Sequence, residues 1–549
     1  MDSYTVLLTV VGGIVIICLV YDTVYLESLK DVHELALKEQ SSISSTRKTG
    51  ESAIYRSMDV MHGLPLTFGL QIRHGIYKVR NGNLKDIWKL ALENYNEDRK
   101  LSYFDGKDKT LKSFNFKELN VNFQKLAAKF KELSSMPIIG IYLPVGRIES
   151  LSIILTCFFF DGFTLKNFNK IPLRKPLDVE LICCLKSDLP KFVELSFKKI
   201  IIVDDGKDGN DENDYELNTN DIFLVHYSDI INNSALQVSS LSYDYTYSEE
   251  EDFRIPLIED INFKDIQYYQ LNFVSTIASL MASVPREHSW NEEDIMLIGC
   301  NEFDTILPSQ SSVLTNQNLI VKILCAFVST INNIIVIPES QISFQTITDL
   351  NPTLLCLTES KYHSLLNQEI KPMLSSSTGL IRKQFFHRSA LLFSRGIYSQ
   401  FGSLINSDVR ICYSCNLLSE EALSTADINI LQTAFGSRFI VETFKIPVLG
   451  PILKTNFYDY RILSNEIDNV NKKLKFRKMG VAANCLELKV KDFKNFQSEN
   501  KEGELVIRGF NIGTAIESND VQKNNTDEGW MPIGIYGKWG EDGCFYEYL

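Results

Sequence analysis

Cys412 and Cys415 stand in a C-x-x-C spacing that two thiolates could use to hold a metal or to cycle through a disulfide. A structural zinc site needs a second ligand pair, and no histidine follows at metal spacing, so both are read as core residues. The neighbours Cys183 and Cys184 cannot easily close an ordinary disulfide and are read the same way. Residues 375–383 (SSSTGLIRK) carry the Ser, Thr, Gly and Lys of a loop that could cradle phosphate on backbone N–H groups. His226, His288, His363 and His387 are scattered, with no nucleophile or carboxylate at a triad-like spacing, and are read as structural or surface groups. The pairs Asp204–Asp205 and Glu541–Asp542 fall in turns and read as solvated rather than as acid/base dyads. Residues 204–221 (DDGKDGNDENDYELNTND) do not keep the ligand spacing of an EF-hand, so this acidic stretch is expected to be a solvated loop.

Such side chains need a scaffold, and the apolar pattern supplies one from about residue 84 onward. Ile87, Leu90, Ala91 and Tyr95 mark an amphipathic helix, and residues 116–130 mark a second. The short apolar runs 138–143 (IIGIYL), 199–203 (KIIIV) and 333–337 (NIIVI) read as buried strands separated by helical stretches such as 147–160. That alternation predicts an α/β fold of parallel sheets with crossover helices. Ahead of it, residues 5–21 (TVLLTVVGGIVIICLVY) hold no charge, and extending the run to Leu26 crosses only Asp22. This approaches the roughly 20 residues that span a bilayer. The start Met-Asp-Ser-Tyr lacks the basic region of a signal peptide, so an uncleaved transmembrane anchor over 1–26 is expected. Lys30, Lys38, Arg47 and Lys48 follow the anchor and none precedes it, which puts the bulk of the chain in the cytosol and empties the sequons at Asn232 and Asn524 of meaning.

With 549 residues, 56 basic against 69 acidic side chains and a net charge of −13, the chain is a globular protein without the electrostatic footprint of a nucleic-acid binder. Eleven cysteines, mostly inside apolar runs, fit a reducing compartment.

The ordered segments 101–133, 138–142 and 147–162 resemble the opening of adenylate-forming (AMP-binding) enzymes, closest to the long-chain acyl-CoA synthetases. The resemblance continues at 349–355 (DLNPTLL), 379–396 (GLIRKQFFHRSALLFSRG), 409–436, 503–509 (GELVIRG), 527–530 (DEGW) and 539–543 (WGEDG), and so covers most of 84–549. It implies a large α/β domain over 84–549, preceded by a lead-in at 27–83. It also implies that the mobile C-terminal subdomain of the family is absent, since the sequence ends at Leu549. In the family, ATP and a fatty acid form an acyl-adenylate, and coenzyme A then displaces AMP.

Against that pattern the residues that would handle nucleotide are replaced. The stretch 249–270 (EEEDFRIPLIEDINFKDIQYYQ), where the phosphate loop should fall, has no Gly and is rich in carboxylates expected to repel a polyphosphate. Residues 375–383 sit instead at the family's basic helix start, and 314–319 (LTNQNL) lack a Gly or Lys upstream. Ile446 and Pro447 stand where the magnesium motif has its Thr and Glu, with Glu442 five residues too early. Ser414 and Cys415 replace the adenine-pocket loop, and Ile533 and Ile535 flank Gly534 where a ribose-binding Thr-Gly-Asp should be. The expectation is therefore a pseudoenzyme with no catalytic residue, no metal and no cofactor. It would be held to the bilayer by residues 5–26 at the cytosolic face of the endoplasmic reticulum, acting in lipid metabolism by binding a protein partner or a fatty acyl ligand. The alternative is a working long-chain fatty acid–CoA ligase using ATP and Mg²⁺, for which each lost charge-stabilising donor would cost roughly 10²–10³ in rate.

Overall fold

The computed structural model describes residues 3–74, 78–94, 96–105, 110–160, 162–204, 222–233, 243, 245–261, 264–302, 309–375, 379–418, 422–468, 470, 473–516 and 528–549. Tyr95 and most of the acidic stretch 204–221 lie outside them.

Two sheets carry the body. In the smaller one, six strands run parallel in the order Phe223–His226, Lys199–Val203, Leu181–Leu185, Ile138–Tyr142, Thr164–Phe168 and Leu257–Ile261. Lys264–Tyr268 and Thr514–Ile516 extend it antiparallel. In the larger sheet the parallel run is Lys100–Asp105, Asn333–Pro338, Ile295–Cys300, Leu354–Thr358, Ile411–Asn416 and Arg438–Thr443. Beyond Arg438–Thr443 every pairing is antiparallel, through Leu453–Lys454 and Phe476–Ala482 to Leu486–Lys491.

The parallel strands read as continuous apolar runs because helices cover both faces. Leu84–Glu93, Phe116–Leu133, Ile148–Phe159, Gln270–Ala282 and Gln310–Val328 contribute to the main core. Trp88 is buried there, its ring 5.1 Å from Phe159, 5.2 Å from Phe123 and 5.4 Å from Phe327. Asn83 and Asn115 cap the first two helices, each in a reciprocal capping box with an acid three residues on. Buried Arg99 donates to the Ala326, Phe327 and Ile331 carbonyls, satisfying the end of the helix Gln310–Val328.

The stretch 27–83, expected as a lead-in, is partly built into the body. Ser41–Ile43 pairs with Tyr55–Ser57, and Tyr55 pairs with Leu488 at the antiparallel end of the larger sheet. The Tyr55 ring stacks on Trp539 with centroids 3.8 Å apart, so this strand is held by core packing that no local pattern announces.

Ahead of it, Ser3–Val20 forms a helix that continues through Tyr21–Tyr25 to Leu26–Ser28. Val10, Val11, Ile14, Val15, Ile16, Ile17, Leu19 and Val20 are all exposed, so the described part of this helix presents apolar side chains all round. Gln310–Val328 is the one described helix long and apolar enough to cross a membrane by length and composition, and it is a buried core helix.

Candidate functional site

Parallel strands bring their carboxyl ends to one edge, and open α/β sheets bind ligands in the crevice outside that edge. Here the ends are Thr358, Asn416 and Thr443. Beside them, among the described residues, apolar side chains of the chain pack together. Leu314, Cys415 and Phe444 form a buried cluster, joined by Leu417 and Ile446. Next to it Arg477 donates from Nη1 to Asn416 Oδ1 at 3.1 Å and to Glu359 Oε2 at 3.2 Å. Its Nη2 donates to Glu547 at 2.7 Å. Glu359 Oε1 also accepts the Leu423 backbone N–H at 2.7 Å, and Asn416 Nδ2 donates to Thr443 Oγ1 at 3.3 Å. These polar groups thus satisfy one another.

The structure brings Cys415 and Ile446 into this cluster and separates the other sequence-marked residues from it. Ser414 neighbours Cys415 on the strand Ile411–Asn416, so its side chain faces the opposite side of the sheet; it is buried, and its Oγ has no hydrogen-bond partner among the described residues. Cys412 and Cys415 likewise point to opposite faces, which prevents them from sharing a metal. Burial pushes the Cys412 thiol up to about 12 and the Cys415 thiol well above its ordinary value, away from thiolate chemistry. The Ile446–Pro447 peptide bond is cis, and Pro447 is half-buried. Ile533 and Ile535 lie on the strand Met531–Trp539 and are buried in a separate core with Trp539 and Leu486. No group of three or more His, Cys, Asp or Glu suited to a metal occurs among the described residues.

The carboxylate-rich stretch 249–270 is mostly built into the fold. Leu257–Ile261 and Lys264–Tyr268 form a hairpin whose turn lies outside the described residues. Glu251, Asp252, Glu259 and Asp265 are engaged inside the fold, while Glu249 and Glu250 are exposed. Asp265 lies 2.6 Å from Lys166, Glu251 lies 3.0 Å from Lys85, and Asp252 accepts from Asn83 and Tyr247. Glu259 is buried with Asn167 and Asn169 donating to it, and burial pushes its carboxyl up to about 8, which keeps it neutral.

An open cleft of about 620 Å³ lies elsewhere, toward the Tyr413 and Ile440 end of the same strands. Its floor is polar and its walls are apolar. Glu442 is ion-paired with Lys322 of the helix Gln310–Val328 at 2.8 Å, while its second oxygen has no hydrogen-bond partner among the described residues. Burial alone would lower the Lys322 ammonium, but Glu442 more than offsets this and holds it above its ordinary value. Lys454 is only 8% exposed, and among the described residues it has no ion-pair partner. Burial lowers its pKa, opposed by the charges of Asp59 and Glu442. Val284, Ile440, Phe457 and Val481 form apolar walls, and Leu35–Gln40, the chain just after the N-terminal helix, borders the cleft. A few convergent polar groups in an apolar cleft is the usual make-up of a small-molecule site. The sequence signal for it was a single Lys inside the run LIVKILCAFV, since a charge buried in an apolar helix requires a partner.

No protein-family model matches the chain. An uncharacterized protein of Saccharomyces cerevisiae is 25% identical over 572 residues, 95% of this chain and 95% of that one. Among solved structures, a long-chain-fatty-acid-CoA ligase from Archaeoglobus fulgidus superposes with a TM-score of 0.56 at 13% identity, covering 88% of this chain and 86% of that one. The N-terminal domain of FACL13 from Mycobacterium tuberculosis is covered in full, with 85% of this chain, a TM-score of 0.53 and 11% identity. An anthranilate CoA ligase bound to anthranoyl-AMP superposes at 0.54 with 13% identity, covering 85% of this chain and 76% of that one. At such identities what is shared is architecture: the two sheets, the crossover helices and the antiparallel extension described above are the fold of the adenylate-forming (AMP-binding) enzymes.

Proposed function

We propose that the chain is a membrane-anchored binding protein on an adenylate-forming fold, and that it does not itself activate acids. The observation that carries this is the buried apolar cluster at the strand ends. Leu314, Cys415 and Phe444 form it, and Arg477 ties Asn416 to Glu359 beside it. Opening it would expose apolar side chains and strip the partners from a buried Arg–Glu pair, a cost that nucleotide binding would have to meet first. No ATP or Mg²⁺ is needed on this reading.

The ligand is a long-chain carboxylate held in the cleft beside Glu442. Lys454 offers a buried ammonium to the carboxylate, while Val284, Ile440 and Phe457 receive the start of the chain. The apolar helix Ser3–Val20, with its large side chains from Val10 to Val20 exposed, supports an anchor in the bilayer, where burying that surface is favourable. The basic residues that follow it support a cytosolic body, at the endoplasmic reticulum, where a lipid-metabolic enzyme is the protein partner.

The test is binding to the full chain in detergent micelles, by calorimetry and melting temperature. Mg-ATP is expected to give no heat and no shift, and a long-chain carboxylate is expected to raise the melting temperature in a saturable way. Saturable Mg-ATP binding would overturn the reading in favour of an ATP-dependent long-chain acid ligase.

A further inference from the structure

The helix Leu380–Phe393 is unlike the other surface helices. Phe386, Ser389 and Phe393 face inward, and Asn429 Nδ2 bonds the Ala390 carbonyl at 3.3 Å. Its outer side is both apolar and basic. Ile381, Phe385, Arg388, Leu392 and Arg395 recur at i, i+4, i+7, i+11 and i+14, so they share one side of the helix and its continuation, all exposed except half-buried Leu392. Ile381 is 70% exposed, and Phe401 is 74% exposed with its ring edge-on to Phe385 at 4.8 Å. Between residues 379 and 407 the sequence holds Arg382, Lys383, Arg388 and Arg395 and no Asp or Glu, in a chain whose net charge is −13.

This surface is tied to the end of the N-terminal helix. The Asp31 backbone N–H donates to the Gly396 carbonyl at 3.3 Å, and the Asp31 carboxylate is 2.7 Å from Arg438. Arg438 lies over the Tyr398 ring at 4.8 Å, and that ring meets Phe393 at 5.7 Å. With 14 residues at about 1.5 Å each, the helix is about 21 Å long, and its carboxyl end lies next to this contact.

We propose that the outer side of Leu380–Phe393, with Phe401, is a second membrane contact that lays the body against an anionic bilayer surface beside the anchor. The inference rests on the anchor reading above. Exposed large apolar side chains interleaved with Arg and Lys are what an interfacial helix presents to lipid, with rings entering the acyl boundary and cations meeting headgroups. The charge decides the occupant. A body with a net negative charge is repelled by anionic lipid as a whole, so a purely basic segment next to the anchor sets which side faces the membrane.

The test uses the full chain reconstituted in phosphatidylcholine vesicles with and without phosphatidylserine, the lipids carrying brominated acyl chains that quench tryptophan. Ile381→Trp is compared with Leu177→Trp, a position 96% exposed on the other sheet's surface, each read against the parent chain. Quenching for Ile381→Trp is expected to exceed that for Leu177→Trp about twofold or more, to rise with phosphatidylserine, and to fall when Lys383→Glu and Arg388→Glu are added. Equal quenching at the two positions overturns the inference, including the case in which a protein covers this face instead. Alkaline carbonate extraction of the same vesicles separates the two readings. A chain that resists extraction yet shows equal quenching leaves the anchor standing and removes only the second contact. A chain that is extracted removes both.

Discussion

Lys322 and Glu442 meet at 2.8 Å between a helix and a parallel strand, and neither side chain is more than 2% exposed. The Lys322 ammonium also lies 4.0 Å from the centroid of the Tyr413 ring, whose hydroxyl accepts from Trp290 at 3.0 Å. A charge pair so deep is stable only while both members are present, because each is desolvated at a cost that only the other offsets. Lys322→Met alone is expected to lower stability by about 3–5 kcal/mol, while Lys322→Met with Glu442→Leu recovers most of that loss. Denaturant midpoints of the three chains check this, and a double variant as unstable as the single one would refute it.

Phe444 is fully buried in the apolar cluster at the strand ends. Phe444→Ala is expected to cost about 3–5 kcal/mol through the cavity it leaves. It should create no nucleotide site, since Arg477, Glu359 and Asn416 still satisfy one another. Melting with and without Mg-ATP checks both parts. A nucleotide-dependent rise in the variant would mean that one ring was the whole obstacle.

Glu259 makes stability depend on pH in a direction unusual for a carboxylate. Its folded pKa is raised from 4.5 to about 8, by burial. Between those values the folded state holds a proton that the unfolded state has released, so this group's contribution falls as pH rises through the window. Glu259→Gln keeps an amide where the neutral acid was, so the variant is expected to lose less stability than the parent between about pH 5 and pH 8. Parallel melting curves across that range check it, and identical pH profiles would count against a neutral Glu259.

Lys454 is the buried cation of the open cleft. Lys454→Met is expected to leave the free chain as stable as the parent or more so, because burial already disfavours that charge. Affinity for a fluorescent long-chain carboxylate should fall about tenfold or more, the scale of one charge-assisted hydrogen bond. Unchanged affinity would move the ligand out of this cleft.

From the sequence alone, the α/β class, the strands Lys199–Val203 and Ile138–Tyr142, the helices Phe116–Leu133 and Ile148–Phe159 and the apolar N-terminal helix could all be read. They are legible because apolar periodicity records which face of an element is buried. The expectation that Ile446, Pro447, Ile533 and Ile535 replace nucleotide-handling residues rests on spacing against the family pattern. Only the tertiary structure decided what surrounds these positions. Periodicity does not say which buried side chains meet, so Leu314 and Phe444, 130 positions apart by their numbers, give no local sign of forming one cluster. The same limit hid the Lys322–Glu442 pair, the Tyr55 strand beside Leu488, and the pairing of carboxylates in 249–270 that looks repulsive when written out. Charges and rings act through distances of a few ångströms, and those distances exist only once the chain has folded.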